Sequence, residues 1–206
     1  MILYFDTETT GLSPGRIIQL SYIMQTEKET KAKNFFFYVD YVEPSAAAVH
    51  GFTPEKLFEL SGGKTFSCDI DEIYDDFLSA DLIVSHNFAF DMKFMMAEFA
   101  YQDRRFRYRE SLCTMRYFTD VIRLPRNSHR GFKYPKLQEL AEYYDVYPYD
   151  ISRMTAEYFG CLASDHDARY DTASLYLSFN AAAAENAAVH EIREKYLSSP
   201  VEEKAI

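Results

Sequence analysis

The sequence predicts an α/β fold, and three observations support it. Segments rich in aromatic and β-branched residues, which are typical of strands, lie near the amino terminus. A short apolar segment further along leads directly into a helical pattern, and the end of the chain consists almost entirely of helix-forming residues. At 206 residues the chain fits one ordinary domain with a sizeable core.

Three strands are predicted at the start of the chain. Residues 2–5 are four consecutive apolar residues, which indicates a strand buried on both faces. Residues 13–15 (Ser-Pro-Gly) predict a turn, residues 16–24 a second strand and the charged residues 28–31 a hairpin tip. The aromatic residues within 35–42 predict a third strand, so three consecutive antiparallel strands should begin the sheet.

Two helices are predicted next. Residues 44–51 should turn the chain, and Thr53 followed by Pro54 is typical of a helix start. This helix should end before Gly62 and the glycine after it. Apolar residues at helical spacing within 67–78, with acids between them, predict an amphipathic helix that covers the sheet.

A strand followed by a helix is the next predicted unit. Residues 81–86 indicate a short buried strand, and Asn87 is a candidate N-cap for a helix that runs from Phe88 to about residue 102. Asp91 falls in the first turn of this helix, where the helix dipole favours its ionised form. This position lies at the carboxyl end of the sheet, where open α/β folds bind ligands. The alternative is that Asp91 is only a favourable helix-start charge.

The rest of the chain is mostly helical in pattern. Residues 151–161 are ambiguous, although a helix fits them, and the helix at 181–188 could dock a partner or close the core, of which we favour the core. We predict an edge strand at 108–113, a short helix at 114–118, a basic loop at 123–134, a helix at 135–144 and two helices within 168–196, interrupted around 179–186.

Composition excludes several classes of protein. With 48% hydrophobic and 26% charged residues the chain should fold rather than remain disordered. No apolar run is long enough to span a bilayer, and the first residues enter a strand without a basic leader, so we expect a cytoplasmic protein with no membrane partner. The three cysteines form no disulfide or zinc pattern.

The charge distribution is uneven. A net charge of −10 argues at first against a polyanionic partner. However, residues 104–136 hold ten of the 22 Lys and Arg side chains and only two of the 32 acids. This segment is compatible with a local nucleic-acid track in an otherwise acidic protein. The alternative is that solvated arginines decorate a loop and two helices.

Two carboxylates mark the end of the first strand. Because strand side chains alternate between faces, Asp6 and Glu8 should point the same way, with Thr7 opposite. Two like charges so close should raise one pKa unless a cation lies between them. Oxygen ligands favour hard divalent ions such as Mg²⁺ or Mn²⁺. The alternative is a solvated strand end with no metal.

A third acidic segment, Asp-His-Asp-Ala-Arg-Tyr-Asp, contains His166 and Asp171. These two residues are roughly 140° apart around a helix, so they cannot share a helical face. They can converge only if His166 lies in the loop before the helix and Asp171 lies one turn inside it, with Ser164 or Asp165 as the N-cap. A histidine there would suit a general base for water, although a lone histidine is more often structural.

Taken together, three motifs in order resemble those of the DEDDh (DnaQ-like) 3′–5′ exonucleases, which have a ribonuclease-H-like fold. These are FDTETTGL, HNFAFD and HDARYD, with softer matches at VHGFTPEKL and LQELA. The resemblance covers residues 1–180 and implies a mixed five-stranded sheet flanked by helices. Residues 181–206 should form a C-terminal helix and tail of the same domain.

The resemblance also implies the chemistry. Four carboxylates, from Asp6, Glu8, Asp91 and Asp171, would hold two divalent metal ions, Mg²⁺ or Mn²⁺, roughly 3.5–4 Å apart. His166 would complete the catalytic set by taking a proton from the attacking water. The product would be a nucleoside 5′-monophosphate.

The same resemblance implies a pocket for the terminal nucleotide. Aromatic faces in such a pocket stack on any base, so they give little sequence preference. For Phe52 and Phe90, burial in the core is an equally good interpretation. The residues implied for substrate binding are Thr9, Gly11, Leu12, His50, Phe52, Asn87 and Phe90.

We therefore predict a metal-dependent 3′–5′ exonuclease acting on the 3′ ends of single-stranded DNA or RNA, or on frayed ends. DNA proofreading or repair is favoured, with RNA trimming as the alternative within the family. A polymerase subunit is a candidate partner. A hypothesis from another class is a non-catalytic nucleic-acid or polymerase docking module, against which the intact set of five catalytic-type residues argues.

Overall fold

The structure is a computed structural model that describes residues 1–12, 15–126 and 131–198. The predicted turn at Ser13 and Pro14, residues 127–130 of the basic loop and the tail at 199–206 lie outside the described residues.

One mixed sheet organises the described chain. Its five strands lie in the order β3-β2-β1-β4-β5, so β1 is central. β2 pairs antiparallel with both β1 and β3, whereas β4 and β5 run parallel to β1. This confirms the predicted α/β fold and its mixed five-stranded sheet. The strands are β1 Ile2–Thr9, β2 Ile17–Gln25, β3 Thr30–Phe36, β4 Leu82–Ser85 and β5 Glu110–Cys113.

Helices cover both faces of the sheet. None of those in the described residues has the length and apolar character needed to cross a bilayer. The helices are α1 Pro44–His50, α2 Pro54–Ser61, α3 Phe66–Ser79, α4 Phe88–Ala100, α5 Thr114–Tyr117, α6 Thr119–Ile122, α7 Leu137–Tyr143, α8 Pro148–Phe159, α9 Ala168–Glu185 and α10 Ala187–Leu197.

The alternation of side chains along β1 divides the core in two. Leu3 and Phe5 pack with α3 and α4 on one face. Ile2 and Tyr4 pack with α9 and α10 on the other. The alanine-rich end of α9 closes this second core, because its Ala182 is fully buried there. By the same alternation, Asp6 and Glu8 lie on the face of the sheet that α9 covers, and Thr7 lies on the face that α4 covers.

The predicted third strand is wrong in position. Residues 35–42 were expected to form it, whereas β3 runs over Thr30–Phe36. A tight turn, in which the Thr26 N–H donates to the Glu29 carbonyl at 2.9 Å, starts the pairing at Thr30. As an edge strand, β3 tolerates the lysines that made residues 28–31 resemble a hairpin tip.

Two helix predictions also need correction. Residues 44–51, expected to turn the chain, form α1, which has Pro44 in its first turn and Gly51 in the left-handed conformation at its C-cap. The interruption predicted around 179–186 is confined to Asn186, and the amide of this residue caps α10. Phe179, where the interruption was expected to begin, lies within α9, and its ring is fully buried.

Candidate active site

Three carboxylates converge at the end of the central strand. One oxygen from each of Asp6, Glu8 and Asp171 lies within 4.8 Å of the others. The first two come from β1 and face α9, whose first turn supplies Asp171. Strand alternation predicted that Asp6 and Glu8 share a face, and the family resemblance implied that Asp171 joins them. Three such oxygens form a donor set of the kind that hard divalent cations prefer.

Asp91 approaches the same strand from the other face. It lies in the first turn of α4, as predicted, and is only 2% exposed. Its Oδ1 accepts a hydrogen bond from the Thr7 hydroxyl at 2.8 Å, and its Oδ2 is buried without a hydrogen-bond partner. The structure therefore places Asp91 beside the three-carboxylate cluster and not within it. A buried carboxylate oxygen without a partner is costly, and a bound cation would remove that cost.

Burial raises the pKa of all four carboxyl groups, and repulsion from neighbouring carboxylates adds to the rise at Asp6, Glu8 and Asp171. The pKa of Asp6 lies well above its usual value because of burial and, next, the charge of Asp91. Burial raises the pKa of Glu8 to about 8 and those of Asp91 and Asp171 to about 7. Together with the donor set and the unpartnered Asp91 oxygen, these shifts fit a site for divalent cations.

These shifts predict how the stability of the metal-free protein depends on pH. A raised carboxyl pKa stabilises the fold below the unfolded-state value, near 4, and this stabilisation is lost as pH rises through the folded-state value. In EDTA the melting temperature should therefore fall from about pH 5 to about pH 8. Added Mg²⁺ should raise it at the higher pH and have little effect at the lower one, because protons and the cation compete.

Thermal unfolding at both pH values, with EDTA or MgCl₂, makes this measurement. In Asp171→Asn the dependence on pH should be shallower, because one of the coupled carboxyl groups is removed. An equal Mg²⁺ shift at both pH values would contradict a carboxylate metal site.

His166 lies where the sequence predicted, in the loop before α9. It has left-handed backbone torsion, with φ of 65°, and its side chain is exposed. Its backbone N–H donates to Asp171 Oδ2 at 3.3 Å, which brings the two residues together. The imidazole makes no hydrogen bond with a described residue. It is therefore free to contact a ligand at the carboxylate cluster.

The predicted caps of this helix, Ser164 and Asp165, are wrong. Asp167 is the N-cap of α9, because its side chain accepts a hydrogen bond from the Arg169 N–H at 3.0 Å. The Arg169 guanidinium also forms an ion pair with Asp167 at 2.6 Å. These bonds outweigh a cap two or three residues earlier and leave His166 outside the helix.

Gln19 is a positioning residue that the sequence analysis missed. It is fully buried in β2, beside Glu8 in the sheet register. Its side-chain Oε1 accepts a hydrogen bond from the Ala168 N–H at 3.1 Å, and its side-chain Nε2 donates to Asp167 Oδ1 at 2.9 Å. Gln19 therefore fixes the start of α9, and with it His166 and Asp171, against the central strands. The signal in the sequence is a polar amide within a strand that is mostly apolar.

Replacing Gln19 by leucine should lower turnover without removing the catalytic groups. We expect kcat to fall about tenfold, because loss of an ångström of precision at His166 is costly, while KM changes little. Stability should fall by about 1–3 kcal/mol, because the Ala168 N–H and Asp167 lose buried partners. Gln25→Leu is the matched control.

Gln25 is also a buried glutamine in β2, but it bonds the Tyr4 hydroxyl at 3.0 Å and Asn180 at 3.2 Å. The control should therefore lose stability and keep its kcat. If both variants lose kcat equally, Gln19 has no special role in positioning α9.

The residues predicted to bind substrate fall into two groups. Thr9, Gly11 and His50 are connected, because Thr9 Oγ1 donates to the Gly11 carbonyl at 2.9 Å and His50 Nε2 lies 3.3 Å from the Thr9 carbonyl. His50 Nδ1 accepts the Phe52 N–H at 3.1 Å, so Nε2 carries the proton and donates. Phe52 is 3% exposed and belongs to a core cluster, which favours its interpretation as a core residue.

The second group lies around α4. Leu12 is 76% exposed, and its carbonyl accepts a hydrogen bond from Lys93 Nζ at 2.5 Å. Phe90 is half-buried and packs on Phe94, with ring centroids 5.0 Å apart. Asn87 is exposed and occupies the predicted N-cap position of α4, but its backbone is left-handed and its side chain makes no capping bond.

Gly11 lies close to the flexible end of the Glu43 side chain. A Cβ built on it would lie 2.2 Å from the carboxyl carbon of Glu43. The backbone N–H of Glu43 also donates to the Thr10 carbonyl at 2.8 Å. The end of the FDTETTGL motif therefore packs against the start of α1.

Comparison with known proteins agrees with this arrangement. The model of the RNase_T family, described as Exonuclease, matches residues 3–150. DNA polymerase III subunit epsilon from Escherichia coli (strain K12) is 29% identical over 154 residues, which cover 70% of this chain and 60% of that protein. The corresponding subunit from Rickettsia prowazekii is 29% identical over 139 residues, covering 64% and 57%.

The chain thus spans about 60% of the length of these curated relatives. The HDARYD motif lies beyond the residues matched by the family model, and the structure brings it to the other two motifs through α9. The chain belongs to the DnaQ-like 3′–5′ exonuclease family.

Proposed function

We propose that this chain is a metal-dependent 3′–5′ exonuclease that releases nucleoside 5′-monophosphates from single-stranded or frayed nucleic-acid ends. The observation that carries the proposal is the convergence of Asp6, Glu8 and Asp171 oxygens within 4.8 Å, next to the exposed His166. A module that only bound nucleic acid would gain nothing from buried carboxylates that repel a phosphate.

The four carboxylates would hold divalent cations, Mg²⁺ or Mn²⁺, with Asp91 contributing its unpartnered oxygen. Such cations, when bound, supply charge stabilisation for the phosphate and lower the pKa of water. His166 is free to accept the proton of the attacking water at its imidazole. The backbone bond from His166 to Asp171 keeps this base near the carboxylates.

The end of β1 is suited to receive the terminal nucleotide. The turn after Thr9 follows the strand that carries Asp6 and Glu8, and it contains Gly11 and the exposed Leu12. His50 holds the Thr9 carbonyl and stacks on Phe52, with centroids 5.3 Å apart. A duplex end would have to unpair before its terminal nucleotide could reach these residues, which is why single strands and frayed ends are the proposed substrates.

DNA is the favoured substrate because the relatives named above are DNA polymerase III epsilon subunits. The same names suggest a polymerase subunit as a partner. RNA trimming is the second candidate.

The experiment compares matched single strands of DNA and RNA, each labelled at the 5′ end, with MgCl₂. We expect ladders on the single strands and slower shortening of a blunt duplex, with DNA degraded faster than RNA. Faster degradation of RNA would overturn the DNA assignment and retain the exonuclease. Tight binding with no cleavage of either strand would support the docking module instead.

A further inference from the structure

A basic groove lies beside the candidate active site and is separate from its carboxylates. It is a surface cavity of about 500 Å³ formed by α5, α6 and the described parts of the basic loop. Its volume is in the range of sites for nucleotide-sized groups. It is lined by three cations, two aromatic residues and one acid among others: Arg116, Arg126, Lys133, Phe132, Tyr134 and Asp120.

The sheet topology places this groove on the same edge as the carboxylates. β5 runs parallel to β4 and β1, so its carboxyl end at Cys113 lies on the edge where β1 presents Glu8. α5 follows Cys113 directly and carries Arg116. The groove therefore begins within one helical turn of the ligand-binding edge.

The other end of the groove is close to the active site, because neighbouring residues of one segment line the two cavities. Tyr134 lines the groove, whereas Lys136 lines the cavity that contains His166 and Asp171. Two peptide units separate Tyr134 from Lys136, so their Cα atoms are at most about 8 Å apart. A short strand with its terminus at the carboxylates would reach the groove.

His86 holds the connecting segment in place. Burial lowers the pKa of this histidine to about 4, so the ring is neutral. Its Nε2 lies 3.0 Å from the Pro135 carbonyl, and its Nδ1 lies 3.0 Å from the Thr114 hydroxyl. Because the carbonyl can only accept, Nε2–H donates to Pro135 and Nδ1 accepts from Thr114. The segment between groove and active site is thereby fixed to the sheet.

The structure divides the arginine-rich segment into two parts with different roles. Arg104 and Arg109 form ion pairs with Asp71 and Asp81, both at 2.5 Å. Asp81 precedes β4, so Arg109 lies at the sheet edge opposite the carboxylates. In contrast, Arg116 and Arg126 form no ion pair with any described residue, and both are exposed. Their charges remain available to a ligand.

The groove combines these cations with exposed aromatic rings. Phe132 is 38% exposed and Tyr134 is 57% exposed. Positive charge that follows a phosphate backbone, together with aromatic faces for the bases, is the usual combination in single-strand binding sites. The net charge of the chain is −10, so a positively charged groove is a local exception.

We propose that this groove binds the substrate strand on the 5′ side of the terminal nucleotide, with Arg116 and Arg126 contacting its phosphates. The proposal rests on the exonuclease function proposed above. The ligand is a single-stranded polynucleotide at least several residues long. Very short oligonucleotides would occupy the active site alone.

The test compares kcat/KM on a trinucleotide and on a strand of about 12 nucleotides. In the Arg116→Ala/Arg126→Ala double variant, kcat/KM on the long strand should fall about tenfold, chiefly through KM. On the trinucleotide it should change less than about twofold. The plot of log kcat/KM against log salt should become shallower by about 1.4, since two single-strand phosphate contacts are lost.

The matched control is Arg105→Ala/Arg107→Ala, which removes the same charge from exposed side chains in the other part of the segment. It should behave like the wild type on both substrates. An unchanged long-strand kcat/KM in the groove variant, an equal loss on both lengths, or an equal loss in the control would each overturn the proposal. If the wild-type protein degrades neither substrate, the exonuclease function itself fails, which is a distinguishable result.

Discussion

Replacing His166 is expected to lower kcat by about 10²–10⁴, the usual contribution of a positioned general base, while Mg²⁺ affinity stays near the wild-type value. The side chain is exposed and makes no hydrogen bond to a described residue, so its loss disturbs little else. The bond to Asp171 comes from the backbone N–H and persists in any variant at this position.

The choice of substitution matters because His166 has a φ of 65°. Asparagine tolerates left-handed torsion better than alanine does, so His166→Asn separates loss of the base from strain in the loop. Both variants should lose kcat to a similar extent. Single-turnover kinetics and calorimetric Mg²⁺ titration make the comparison. A kcat within about threefold of the wild type in both variants, or a clear loss of Mg²⁺ affinity in His166→Asn, would exclude the assigned role.

The second large effect is expected for Asp6. Asp6→Asn should abolish turnover and weaken Mg²⁺ binding, because this carboxylate belongs to the three-carboxylate cluster and its charge also interacts with that of Asp91. The same substitution should stabilise the metal-free protein at neutral pH. It removes a carboxyl group whose pKa is raised in the folded state by burial and by the charges of Asp91, Asp171 and Glu8, so its ionisation no longer disfavours the fold as pH rises.

This combination distinguishes a metal site from a structural role. Thermal unfolding in EDTA should show a higher melting temperature for Asp6→Asn than for the wild type, and added MgCl₂ should reverse the order. Ser21→Ala is a suitable control, because Ser21 is the residue opposite Asp6 in the sheet register and carries no charge. A metal-free Asp6→Asn protein that is less stable than the wild type would argue against repulsion at this site.

Local sequence patterns were sufficient for two parts of the candidate site. Strand alternation places Asp6 and Glu8 on one face, and the loop-to-helix argument brings His166 to Asp171. These inferences work because each depends on fewer than ten consecutive residues and on fixed backbone geometry.

The features that were missed depend on contacts between distant parts of the chain. Gln19 bonds Ala168 across 149 residues, and no local pattern identifies its partner. Asp91 reaches β1 through Thr7, 84 residues away, so its position on the opposite face was not predictable from its helix alone. The displacement of β3 is different, because its cause is local. The turn at Thr26 starts the pairing of β2 with β3 at Thr30, ahead of the aromatic residues on which the prediction was based.

The most direct measurement uses one DNA strand labelled at either end, incubated with MgCl₂, with EDTA, or with the Asp6→Asn variant. The predicted result is stepwise shortening of the 5′-labelled strand and immediate release of the 3′ label as a mononucleotide, both absent in EDTA and in the variant. Release of the 5′ label first, internal fragments, or undiminished cleavage by Asp6→Asn would contradict a 3′–5′ exonuclease built on these carboxylates.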